Sequence, residues 1–182
     1  MNYSKIVYFD SFNARGLSTV LWVSGCEHHC KNCFNQSTWD FNNGKLFTNK
    51  ESDNIIESLK HPRVSNFVIS GGDPLHPCNI KEITKLCKKI RDNEIKVDII
   101  VYTGYLAEEL IEREDFKDLM PYVDFVVDGP YIQELATKII DYRGSTNQRC
   151  LGIKKDYSDN TYNLINISDL YFKEEIKENN DK

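Results

Sequence analysis

Runs of β-branched and aromatic residues that stop at glycine, with helix-spaced stretches between them, constrain this chain most. Strand-like runs occupy residues 5–9, 19–24, 67–70, 97–102, 125–127 and 162–167. The third ends at Gly71-Gly72, the fourth at Thr103-Gly104 and the fifth at Asp128-Gly129-Pro130, the punctuation expected where a strand gives way to a loop. Between them, residues 79–91 repeat Ile80, Ile83, Leu86, Cys87 and Ile90 on one helical face. Residues 106–119 offer Leu106, Leu110, Ile111 and Leu119, and residues 51–59 offer Ile55, Ile56 and Leu59. Strands alternating with helices predict βαβ units and a mostly parallel sheet. The unbroken run Ile99-Ile100-Val101 suits a strand buried on both faces. A closed eight-fold βα barrel needs about 250 residues, more than the 182 present. The expected fold is therefore α/β, a single domain over residues 1–172 shaped as an incomplete (β/α) barrel. The charged tail 173–182 is expected to fray.

Composition narrows the classes of function. The formal net charge of −5 argues against nucleic acid as a bulk electrostatic partner. No apolar run reaches the roughly 18–20 residues of a membrane span, and residues 1–5 lack the pattern of a signal peptide. A cytoplasmic location is expected. There the six cysteines stay reduced, which favours metal or catalytic use for clustered thiols over disulfides. Cys87 reads as a core residue, whereas Cys78 and Cys150 have no evident partner.

The clustered thiols are Cys26, Cys30 and Cys33, spaced C-x3-C-x2-C in the loop after the second strand. Three thiolates this close can converge on one metal centre. Structural zinc and ordinary ferredoxin clusters both want four ligands. His28 or His29 offers one way to complete a set, although both lie inside the loop whose ends are already ligands. The other reading is a four-iron cluster held by three cysteines, with one iron left open to a small molecule.

With the downstream segment Ser70-Gly71-Gly72-Asp73-Pro74, this spacing resembles the radical S-adenosylmethionine superfamily. Glycines at a strand end let backbone approach a ligand closely. A carbonyl there, or Asp73, then meets a cationic amino group. By itself Gly-Gly-Asp-Pro is an ordinary turn signal; paired with the cysteines it is specific. The resemblance implies that Cys26, Cys30 and Cys33 hold a [4Fe-4S] cluster. It implies S-adenosylmethionine contacts from Asn32, Cys33, Phe34, Gly71, Gly72, Asp73 and Thr103. Many superfamily members carry an aromatic residue where this chain has Asn32, so backbone contacts over residues 32–34 are what carries over. A side chain at Gly72 is expected to obstruct the ligand while leaving the cluster in place.

Further segments are similar to the activating proteins of anaerobic (class III) ribonucleotide reductases. They are residues 34–39 (Phe-Asn-Gln-Ser-Thr-Trp), 70–77, 102–105 (Tyr-Thr-Gly-Tyr), 127–130 (Val-Asp-Gly-Pro) and 143–149 (Arg-Gly-Ser-Thr-Asn-Gln-Arg). That likeness implies an oxidoreductase that cleaves S-adenosylmethionine reductively. The resulting 5′-deoxyadenosyl radical makes a glycyl radical on the large reductase subunit, with electrons from a flavodoxin- or ferredoxin-type donor. No residue is needed as general acid or base. Arg143 and Arg149 are candidates either for ordering a loop or for gripping the partner. Tyr102, Thr103 and Tyr105 are expected to face the site, Trp22 and Trp39 to be core, and His61 and His76 to be turn residues. The alternatives are another small radical enzyme (an activator of pyruvate formate-lyase or a deazapurine synthase) and a non-catalytic iron–sulfur module.

Overall fold

A computed structural model describes residues 1–137 and 142–171. The tail expected to fray, 173–182, lies outside them. Eight strands form one sheet: β1 (Asn2–Asp10), β2 (Leu17–Val23), β3 (Lys45–Leu46), β4 (Val64–Gly71), β5 (Asp98–Tyr102), β6 (Phe125–Asp128), β7 (Arg149–Asp156) and β8 (Thr161–Asn166). Their spatial order is β3-β1-β2-β4-β5-β6-β7-β8. The central pairs β2–β4, β4–β5 and β5–β6 are parallel. The four outer pairs, β1–β2, β1–β3, β6–β7 and β7–β8, are antiparallel. The sheet is thus mixed, with antiparallel pairs in the majority, which corrects the expectation of a mostly parallel sheet. The parallel core follows from the βα alternation, because only parallel neighbours need long crossovers. At the margins β1–β2 and β7–β8 are short returns, whereas β3 and β7 come back antiparallel after longer connections, and no local hydrophobic pattern records those directions.

Helices α1 (Asn49–Leu59), α2 (Pro77–Asp92) and α4 (Glu114–Leu119) pack their apolar residues on one face of the sheet. Alternation along each parallel strand assigns its side chains. Leu21, Val23, Phe67, Ile69, Ile99, Val101 and Val126 join the helix layer. Val20, Val68, Ile100 and Val127 form a smaller cluster on the opposite face with Ala14 and Cys150. All five residues expected on the inner face of α2 are buried there, and each contributes about 1.5–3 kcal/mol if it is Ile or Leu. Thr48 caps α1 with a Thr48–Glu51 capping box, and Pro77 opens α2 at its first turn.

Residues 106–119 do not form one helix. They divide into α3 (Ala107–Leu110) and α4, with Arg113 extended between them at φ −93° and ψ 126°. The Arg113 guanidinium donates to the Leu75 carbonyl at 2.8 Å and pairs with Asp115. The buried set is Ala107, Leu110, Phe116 and Leu119; Leu106 and Ile111 are exposed. A short α5 (Ser168–Tyr171) follows β8. No described helix is long and apolar enough to cross a membrane.

Candidate functional site

The registers Val23 opposite Gly71, Ile69 opposite Val101 and Tyr102 opposite Val127 bring four strand ends to one side of the sheet. Each leads into a loop singled out above: the cysteine loop after β2, the glycine loop after β4, Thr103-Gly104-Tyr105 after β5 and Gly129 after β6. Parallel sheets place ligand sites at this carboxyl end. A cavity of about 400 Å³ opens there, on the sheet face away from the helices. It is lined by Cys26, Cys30 and Cys33, by Gly71, Gly72, Asp73 and Thr103, and by Phe34, Tyr102 and Arg143. Nine of the eleven candidate residues thus line one cavity; the other two do not, Asn32 being exposed with φ 55° and Arg149 turned to Asp128. Trp22 and Trp39, expected in the core, are half-buried and border the cavity; Trp22 also packs on the smaller apolar cluster.

The cysteine loop and the glycine loop are built against each other. Gly72 N–H donates to the Val23 carbonyl at 2.8 Å and Asp73 N–H to the Gly25 carbonyl at 2.7 Å. Gly25 and Cys26 donate to the carbonyls of Thr38 and Trp39. Asn79, buried on α2, donates its side-chain amide to the carbonyls of both Ser24 and Asp73, at 3.0 and 2.9 Å. Its polarity on an otherwise apolar helix face was the available signal, and sequence reasoning passed over it. A Cβ on Gly72 would lie 2.4 Å from the Gly25 carbonyl oxygen. Any side chain at Gly72 therefore presses on the residue before Cys26. The expected separation, ligand lost and cluster kept, does not follow from this geometry. Gly71, at φ 104°, occupies backbone space that favours glycine.

Asp73 is almost fully buried at 1% exposure. Its carboxylate accepts from Leu75 N–H at 2.8 Å, Thr103 Oγ1 at 2.9 and 3.0 Å, and Gly104 N–H at 2.9 Å. His28 Nε2 stands 2.7 Å from its Oδ2. The hydrogen bond to Asp73 raises the His28 pKa against the opposing effect of burial. Sequence reasoning treated His28 only as a possible metal ligand. His76, expected to be a turn residue, is buried and caps α2 by accepting from Cys78 N–H at 3.2 Å.

Burial pushes the Cys26 thiol up to about 11, and Asp73, Cys30 and Cys33 add to the push; burial also raises Cys30, again with help from Cys33 and Asp73. Thiolates gathered here call for a compensating cation, which a metal centre supplies. Among the described residues no three His, Cys, Asp or Glu side chains converge as they would on a single metal ion. His28 and His29 thus do not complete a mononuclear set: one is bonded to Asp73 and the other packs on Trp39 at 4.7 Å. A cluster places different demands on its ligands, since each thiolate binds its own iron and the sulfurs surround a group. Three cysteines lining one cavity suit that arrangement. Two buried polar atoms beside them, Trp22 Nε1 and Ser24 Oγ, have no protein partner. The remaining cysteines stand apart: Cys78 is exposed, and burial pushes Cys87 and Cys150 up to about 12.

The two arginine candidates differ. Arg143 lines the cavity and donates to the carbonyls of Thr146 and Gln148, at 3.2 and 3.1 Å. Arg149 reaches Asp128 through Nε at 3.0 Å and spans both Glu108 oxygens at 2.8 Å. Of the two roles open to Arg149, this geometry favours ordering the loop.

A family model described as a 4Fe-4S single cluster domain matches residues 12–151. The anaerobic ribonucleoside-triphosphate reductase-activating protein of Vibrio cholerae is 40% identical over 150 residues, which is 81% of this chain and 96% of that protein. The protein of that name from Escherichia coli K12 is 39% identical over the same shares. The one from enterobacteria phage T4 is 38% identical over 149 residues, 82% of this chain and 92% of its own. With its cysteines and glycine loop on one cavity, the chain belongs to the family of anaerobic ribonucleoside-triphosphate reductase-activating proteins, built on a 4Fe-4S single cluster domain.

Proposed function

We propose that this protein activates an anaerobic ribonucleotide reductase by installing a glycyl radical on its large subunit, using S-adenosylmethionine and a [4Fe-4S] cluster. The observation that carries the reading is the presence of three cysteines and the Gly71–Asp73 loop in the lining of one cavity. When bound, the cluster and S-adenosylmethionine supply a reductively formed 5′-deoxyadenosyl radical that takes hydrogen from the Cα of a glycine on the reductase.

The chain's own residues bind, orient and exclude water. Cys26, Cys30 and Cys33 hold the cluster. The backbone at Gly71 and Gly72, on the cavity lining, receives the amino acid end of S-adenosylmethionine. Asp73 has both oxygens engaged by protein donors, so it acts by shaping the loop and setting the local negative charge. Thr103 orients Asp73. Backbone of residues 32–34 remains the candidate for the adenosyl end, with Phe34 on the cavity and Asn32 outside it. The cavity at the carboxyl ends of the parallel strands admits the glycine loop, and Arg143 at the cavity is the candidate partner contact. A flavodoxin or ferredoxin in the cytoplasm supplies the electron.

Anaerobic reconstitution tests this. Each of Cys26→Ala, Cys30→Ala and Cys33→Ala should abolish S-adenosylmethionine cleavage and the glycyl radical signal in electron paramagnetic resonance, whereas Cys78→Ala should preserve both. Full iron and sulfide content in Cys30→Ala would overturn the cluster assignment.

A further inference from the structure

Main-chain hydrogen bonds fasten the cysteine loop at Gly25 and Cys26, where it meets Thr38, Trp39 and Asp73. The arc from Cys26 to Cys30 is held differently, by side chains. His28 sits at its middle, 22% exposed, with Nε2 2.7 Å from the buried Asp73 carboxylate. Its ring packs edge-on against Tyr105 at 4.7 Å. Gly104 leaves it room, since a Cβ there would come within 2.5 Å of His28 Cδ2. One imidazole therefore joins the loops that follow β2, β4 and β5.

We propose that His28 is a positioning residue: by donating Nε2–H to Asp73 it holds the Cys26–Cys30 arc at a set distance from the Gly71–Asp73 loop. The cluster rides on the first loop and the amino acid end of S-adenosylmethionine on the second, so this inference rests on the function proposed above. A ligand that bridges two loops binds well only when their separation is already correct, since otherwise part of its binding energy goes into ordering them. His28 supplies that preorganisation and ligates no metal. Its donor is directed at a carboxylate whose other acceptor positions take Thr103, Gly104 and Leu75, so the bond is charge-assisted and lies in a buried network, where such bonds are strongest.

The test uses the full chain, reconstituted anaerobically, with S-adenosylmethionine as probe. His28→Ala should retain wild-type iron and sulfide content but bind S-adenosylmethionine about tenfold more weakly, as expected for loss of one such hydrogen bond. The change that S-adenosylmethionine causes in the electron paramagnetic resonance spectrum of the reduced cluster should shrink with it. His28→Gln, whose amide can donate to Asp73, should recover most of the affinity. Gly104→Ala keeps every polar group yet crowds the ring, and should reproduce the loss. If His28→Ala matches the wild type in affinity and spectrum, the proposal is overturned. Iron lost in His28→Ala and not recovered in His28→Gln would also overturn it, by making His28 a ligand. Should His28→Ala not fold, Gly104→Ala with wild-type affinity is equally decisive against it. Failure of the wild-type protein to bind S-adenosylmethionine at all would instead reject the function on which the inference rests.

Discussion

Two buried aspartates stand just past or at the ends of two parallel strands, β4 and β6, that flank β5, and they are satisfied in opposite ways. Asp128, at the end of β6, is fully buried and accepts from Ala107 N–H at 2.8 Å and from the Arg149 guanidinium. Glu108 first and Asp128 second raise the already high pKa of Arg149, so the strut carries a permanent cation. Asp73, past the end of β4, has no arginine or lysine partner among its hydrogen-bond donors: a hydroxyl, two amides and an imidazole surround it. The first arrangement ties β7 and α3 to the end of β6 and lies off the cavity. The second lines the cavity, with His28 and Thr103 reaching its carboxylate from the neighbouring loops. A buried carboxylate is thus paired once with a permanent cation and once with a hydroxyl, two amides and an imidazole.

The largest effect should come from breaking the anchor. Arg149→Ala leaves Asp128 buried without its cation and should cost about 3–5 kcal/mol in denaturant unfolding. A loss under about 1 kcal/mol, the worth of an ordinary exposed pair, would erase the contrast. Asp73→Asn should cost less, about 2 kcal/mol, because one oxygen still accepts while the new amide faces the donors His28 and Gly104. A penalty equal to that of Arg149→Ala would mean that the two sites are alike. The smallest effect sharpens the comparison through pH. Hydrogen bonding to Arg149 holds Glu108 down to about 2, from an ordinary 4.5. A depressed carboxylate contributes stability above its unfolded value and loses it as pH falls through the folded one. The difference between wild type and Glu108→Gln should therefore be constant above pH 4.5 and vanish toward pH 2. Added salt should reduce it, since Glu108 is exposed. A difference independent of pH in thermal melts would remove Glu108 from the strut.

Much of this was readable from residues alone, for identifiable reasons. The parallel strands announce themselves by apolar runs ending in glycine, and α2 by five apolar residues at helical spacing. The cysteine and glycine motifs are local, and the parallel registers bring them together. What escaped was set by distant partners. Strand β7 begins at Arg149 and carries Gly152, Lys154 and Lys155, so its sequence reads as the close of a basic loop. Its pairing with β6 and β8 is what makes it a strand. The break at Arg113 depends on the Leu75 carbonyl, 38 residues away. His28 and Asn79 were visible as residues, but their work lies in bonds to Asp73 and Ser24 that only the folded chain creates.

The contact between Gly72 and Gly25 carries a consequence for anyone who would re-engineer this protein. With 2.4 Å between a would-be methyl and the opposite carbonyl, neither loop is a module that travels alone. A chimaera that takes the cysteine loop from one relative and the glycine loop from another inherits two surfaces shaped by different neighbours. Transplanting residues 24–39 together with 70–79 moves a matched pair, and the two segments are best regarded as a single unit of inheritance written in two places along the chain.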